Sequence, residues 1–176
     1  MRTIISTTLL ALLLASTVAG AADQFQERFL SNISLEVTPK GEQYVGDIIQ
    51  SPVYKVRFEA FPGHSFSPSY AIIEVFDSGD DLVPVVVPST NEDLPYFNQL
   101  VHPDFQLDTS SAADFEAMLI AVMPGDFFDD DRSDSVETSD GRWIFYTGTF
   151  FDKRKGFVID LNESGQITGV SYSLEL

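Results

Sequence analysis

The sequence predicts an α+β fold: a mainly antiparallel sheet of about seven or eight strands packed with one or two helices. An all-β sandwich with helical insertions is the alternative arrangement. Three observations carry this. Tyr54, Val56, Phe58 and Ala60 alternate with Lys55, Arg57 and Glu59, a period-two pattern with one apolar and one charged face. Phe115, Met118, Leu119 and Val122 fall on one face of a 3.6-residue helix. The chain then ends in a proline-free series of alternating segments separated by turn signals, which reads as a β-meander.

The elements follow in chain order. Met1 and Arg2 open with a positive charge, Leu9–Leu14 is an apolar run, and Ala19-Gly20-Ala21 is a small-x-small cleavage site. That order is an export signal, and the run is too short to span a bilayer, which takes about 20 residues. Cleavage after Ala21 would leave residues 22–176 as one domain, periplasmic or secreted. The chain has no cysteine, which closes the lipoprotein route and rules out disulfides and thiol chemistry. A domain of about 155 residues buries roughly 68–70% of its unfolded surface, so packing alone can hold it. The supply of large side chains agrees: 15 Phe, 6 Tyr and 1 Trp.

Phe25 and Phe29 would share a face of a short helix within Asp23–Asn32. Ile33, Leu35 and Val37 begin a strand, and Lys40-Gly41-Glu42 turns the chain. Tyr44–Gln50 reads as a weaker strand closed by Ser51-Pro52. Pro62–Ser69 is a loop, Tyr70–Asp77 a strand, and Ser78–Asp81 a hairpin turn. Leu82–Pro88 reads as an edge strand, because Pro84 and Pro88 cannot donate ladder hydrogen bonds. A short helix is expected within Asn91–Val101, with Pro95 in its first turn. The stronger helix spans Ala112–Met123, with Ser111 as candidate N-cap, and Pro124-Gly125 stops it. After the acidic stretch Asp126–Gly141 come strand Trp143–Phe151, turn Asp152–Gly156, a strand around Phe157, Ile159 and Leu161, turn Asn162–Gly165, and strand Gln166–Leu176. In the last strand Val170, Tyr172, Leu174 and Leu176 share a face. Ile167 is out of phase with that set, which predicts a bulge near Gly169.

Charge narrows the function classes. The net charge is −17, and loss of Arg2 with the signal makes it −18. Such a surface repels nucleic acid and anionic lipid, so neither is an expected partner, and no membrane span is expected. Catalytic signatures are missing: no G-x-S-x-G elbow, no phosphate-binding glycine loop, and only His64 and His102, without metalloprotease spacing. A convergent hydrolytic site would leave no such motif and stays as one alternative.

Two segments have the oxygen spacing of a calcium loop. Asp160, Asn162, Ser164, Gly165 and Ile167 match its early positions, but position 12 is Ser171 rather than glutamate, and an ordinary hairpin explains the same residues. In the second, Asp129, Asp131, Ser133, Glu137 and Asp140 are candidate metal ligands, with calcium as the candidate cofactor; a solvated loop is the competing reading. Lys153, Arg154 and Lys155 form the only basic cluster of an acidic chain, at a hairpin tip. They are candidate contacts for an acidic protein partner. A nine-residue strand at about 3.3 Å per residue should separate them from the acidic loop by roughly 30 Å. The expected function is therefore that of an exported, soluble, non-enzymatic binding or interaction protein. A calcium-binding module and a hydrolase are the alternatives.

Overall fold

The computed structural model describes residues 35–59, 70–79, 81–88, 94–124, 128–129, 136–138, 140–174 and 176. The export segment, the helix expected within Asp23–Asn32, the loop with His64, and Asp131 and Ser133 lie outside these residues. The described strands fall into two sheets, one of order β1 (Leu35–Lys40), β2 (Val53–Glu59), β3 (Tyr70–Asp77), β4 (Leu82–Pro84), the other of order β5 (Val136–Glu137), β6 (Arg142–Phe150), β7 (Lys153–Leu161), β8 (Ile167–Ser173). The chain divides into two compact units, Met1–Pro39 with Tyr54–Ile73, and Lys40–Val53 with Glu74–Leu176.

The first unit holds most of β1 (Leu35–Lys40) and β2 (Val53–Glu59), and the start of β3 (Tyr70–Asp77). The alternation in β2 is realised: Tyr54 and Val56 are buried, Lys55 and Arg57 exposed. The Arg57 guanidinium sits 4.2 Å from the Tyr70 ring centroid and 3.6 Å from the Glu36 carboxylate.

The second unit carries the main core. Its first segment corrects one expectation: Tyr44–Gln50 is not a strand. Glu42–Tyr44 is a 3-10 turn, Gly46 has φ 89°, and the Gly46 and Ile49 amides are satisfied locally by Ile49 and Tyr44 carbonyls. Consecutive Ile48 and Ile49 are both buried, which a pleated strand with one wet face cannot achieve. The end of β3 pairs with β4 (Leu82–Pro84) through the expected Ser78–Asp81 turn. The strand stops at Pro84, shorter than expected, and lies at a sheet edge, where a missing N–H costs nothing.

Helix α1 is Leu94–Leu100 and α2 is Ala112–Val122. The predicted face of α2 is buried as a set: Phe115, Met118, Leu119 and Val122. Ser111 stands at the expected N-cap position, but its side chain does not do the capping. Ser111 has helical backbone angles and makes no cap bond. Asp108 takes that role: its Oδ1 accepts the Ser110 and Ser111 amides at 2.8 and 2.9 Å, and its carbonyl accepts from Ala112. The Ser110 hydroxyl first, then the two amides, hold the Asp108 carboxyl below the usual carboxylate range.

The meander comprises β6 (Arg142–Phe150), β7 (Lys153–Leu161) and β8 (Ile167–Ser173), with β5 (Val136–Glu137) beside β6. Phe145, Phe157, Ile159 and Val170 form its buried face, and Phe115 of α2 joins them, its ring 5.3 Å from that of Phe145. The bulge near Gly169 is present: Asp160 pairs with Gly169 but Leu161 with Ile167. Leu174 and Leu176 lie past the end of β8 and are exposed, so the apolar face of that strand ends earlier than expected. No described helix is long and apolar enough to cross a membrane.

Candidate functional site

The β6–β7 hairpin tip is where the charged segments singled out in the sequence come together. Its turn is tighter than expected, with Phe151 and Asp152 at φ 49° and 63° and the strand resuming at Lys153. Lys153, Arg154 and Lys155 therefore lie in a strand rather than a turn, and successive side chains point to opposite faces. The Arg154 guanidinium lies 5.1 Å from the Tyr146 ring centroid. Lys155, only 17% exposed, contacts the Asp129 carboxylate at 3.0 Å.

That ion pair corrects the expected 30 Å gap between the acidic and basic segments. The acidic segment meets β6 well inside that strand and not only at its start. The Asp129 amide donates to the Thr147 carbonyl at 2.7 Å, while β5 pairs Val136 with Ile144 and Glu137 with Trp143. Asp129 and β5 thus meet the same strand, β6, at Thr147 and at Trp143–Ile144. A register shift between Tyr146 and Gly148 makes room for Asp129. Gly148 has φ 142°, and a Cβ there would overlap the Asp129 carboxylate. Glycine is required both for the backbone angle and for the approach.

Gly148→Ala should thus cost about 2 kcal/mol through backbone strain and displacement of Asp129. Thermal unfolding checks this. A melting temperature within about 1 °C of the parent would show that the bulge accepts a side chain.

Of the candidate calcium ligands, Asp129, Glu137 and Asp140 are among the described residues. Asp129 faces Lys155 near Thr147. Asp140 accepts a hydrogen bond from the Thr138 hydroxyl and faces Arg142 at 3.6 Å. The Thr138 bond foremost, aided by the Arg142 charge, keeps the Asp140 carboxyl below its ordinary range. Arg142 in turn donates to Asp160 at 2.6 Å. Thr147 and Arg142 are five residues apart on one strand, about 16 Å, so Asp129 and Asp140 are not brought together. Glu137 lies in β5; Asp131 and Ser133 fall outside the described residues. Among the described residues no group of three or more His, Asp or Glu side chains is placed to hold a metal ion. The other calcium-like segment forms a hairpin: the Asn162 Oδ1 accepts the Ser164 and Gln166 amides, both at 3.0 Å.

The sequence did not point to Phe151 as a site residue. It is 85% exposed, the most exposed large apolar side chain among the described residues. Non-glycine residues with φ above zero are uncommon, and a bulky one there carries strain. The mismatch of a phenylalanine with a turn that favours Asn, Asp or Gly was the available signal, hidden until the turn length was known. Comparisons with protein-family models, with curated proteins and with solved structures find no match to this chain.

Proposed function

We propose that the chain is an exported, soluble, non-enzymatic binding protein whose β6–β7 tip contacts an acidic protein partner. The observation that carries this reading is Phe151: an apolar ring presented to solvent by a strained two-residue turn, next to Lys153 and Arg154. Strain kept at an exposed position is a reason to look for a contact there. Exposed aromatics with arginine nearby are the usual anchors of protein interfaces. The cations supply attraction to an acidic surface from an otherwise acidic molecule, and act on association rate and salt dependence more than on fold stability.

Phe151→Asn tests both halves at once. Asparagine tolerates the left-handed backbone better than phenylalanine, so the melting temperature should hold or rise. Capture of the partner from the exported fraction should fall, and Phe151→Asn with Lys153→Gln and Arg154→Gln should abolish it. Raising salt should weaken capture by the parent. If the triple variant retains the same proteins at the same salt, the tip is not the contact surface.

A further inference from the structure

A cleft of about 310 Å³ lies between the end of α1 with the turn after it and the β7–β8 hairpin. Asn98, His102, Phe105, Gln166 and Thr168 line it, with Val101 and Ile167 on its apolar side. No carboxylate, lysine or arginine is among its lining residues. Its volume is at the lower end of the roughly 300–1,000 Å³ of small-molecule sites.

The polar groups are held in place and their free valences can be assigned. His102 Nδ1 accepts the Asp104 amide at 3.2 Å, which places the proton of a neutral imidazole on Nε2, as a donor. The Gln166 Oε1 accepts from Asn162 Nδ2 at 3.1 Å, and the same Asn162 ties down the hairpin backbone. The Gln166 amide nitrogen is thereby left to donate elsewhere. The Asn98 carboxamide supplies a donor and an acceptor, with no partner among the described residues. Phe105 provides an aromatic wall, supported from behind by Phe115, stacked on it at 5.4 Å.

Phe105 also borders a second cleft of about 360 Å³, lined by Gln43, Tyr44, Asp47, Ser111 and Asp114. Both clefts include Phe105, one face of whose ring is covered by Phe115, and Tyr44 supplies the aromatic side of the second. The first presents uncharged donors and acceptors. The second adds two carboxylates, the Gln43 amide and the Tyr44 ring with its hydroxyl, while the Ser111 hydroxyl is held by Asp108 and Gln106.

We infer that the paired clefts around Phe105 form a binding site for a short neutral saccharide, one ring in each cleft. A sugar hydroxyl donates and accepts at once, which suits mixed amide, imidazole and hydroxyl groups. Carboxylates accept from hydroxyls, and sugar C–H faces pack on aromatic rings. The uncharged lining of the first cleft offers no counter-charge to an ionic ligand, whose burial there would be costly.

The test is amide and side-chain chemical-shift mapping with maltose, cellobiose, lactose and N,N′-diacetylchitobiose. Each is added at about 20 mM, well above a weak Kd of ~1 mM. Citrate and spermidine serve as charged controls. At least one disaccharide should shift Asn98, His102, Phe105 and Gln166 together. Asn98→Ala should weaken it about tenfold, the loss expected of one good hydrogen bond, with the melting temperature unchanged. Silence at these residues with all four sugars overturns the inference. So does tighter binding of citrate or spermidine in the same cleft, or shifts confined to other surfaces. The hairpin tip plays no part in this experiment, so its outcome is separate from that of the partner capture.

Discussion

Replacing Phe115 by alanine is expected to cost about 3–5 kcal/mol, within the range for deleting a fully buried aromatic side chain. Its ring is completely buried and meets Phe97 edge-on at 6.4 Å, Phe105 stacked at 5.4 Å and Phe145 at 5.3 Å. It joins α1, the turn after it and the β6–β8 meander through one side chain on α2. The buried face of the helix is held against several elements at once, which limits collapse into the void, so the upper part of that range applies. At about 2–4 °C per kcal/mol for a chain of this size, the melting temperature should drop by roughly 10 °C or more. Phe115→Leu, which keeps most of the volume, should lose less than half as much. Calorimetry of the two variants measures this. A loss below about 1.5 kcal/mol for alanine would mean that the four rings are not the centre of the core.

The second large effect concerns a polar pair inside the same unit. Glu74 begins the buried part of β3, its side chain only 4% exposed, and the Lys40 ammonium stands 3.5 Å from it, 21% exposed. Lys40 also donates to the Met123 carbonyl just past α2, at 3.1 Å. Among the described residues Lys40 is the one cation beside this carboxylate. Lys40→Met retains the aliphatic stem but strands a buried negative charge. Breaking a buried pair in this way typically costs about 3–5 kcal/mol. The lysine sits at the rim, where water partly screens it, so about 3 kcal/mol is expected. Lys40→Met with Glu74→Leu should recover most of the loss, because apolar residues of similar volume replace a buried pair at little net cost. Denaturant unfolding of the two single variants and the double variant reads the coupling. Purely additive losses would show that the two side chains do not support each other.

Periodicity and turn chemistry determined much of this fold before any tertiary contact was considered. Alternation in β2, the four-residue face of α2, Pro95 in the first turn of α1 and the out-of-phase Ile167 are local patterns. Each is dictated by how a backbone repeats its side chains, every 2.0 or 3.6 residues. The strand wrongly expected over Tyr44–Gln50 failed where local patterning is weakest. Its two isoleucines are adjacent, and burying both requires a turn that only the surrounding core makes worthwhile.

The candidate sites were far less legible. Composition isolated Lys153–Lys155 as the basic cluster, and spacing isolated Asp129–Asp140 as an oxygen-rich loop. Neither could say that Asp129 would reach Lys155, because that contact depends on a bulge near Gly148 and on Asp129 bonding to Thr147 of β6. Pairing across an edge is a long-range event with no signature in either segment alone. The exposure of Phe151 depends on a turn of two residues where the charge pattern implied five. The two clefts around Phe105 join side chains some sixty residues apart or more, which only the packing of α1, α2 and the β7–β8 hairpin brings together. What the sequence determined by itself was the kind of element and the face each would bury, since these follow from neighbours along the chain. Which faces meet, which charges pair and which surfaces stay open were decided by the tertiary structure, since these depend on closing loops between distant residues.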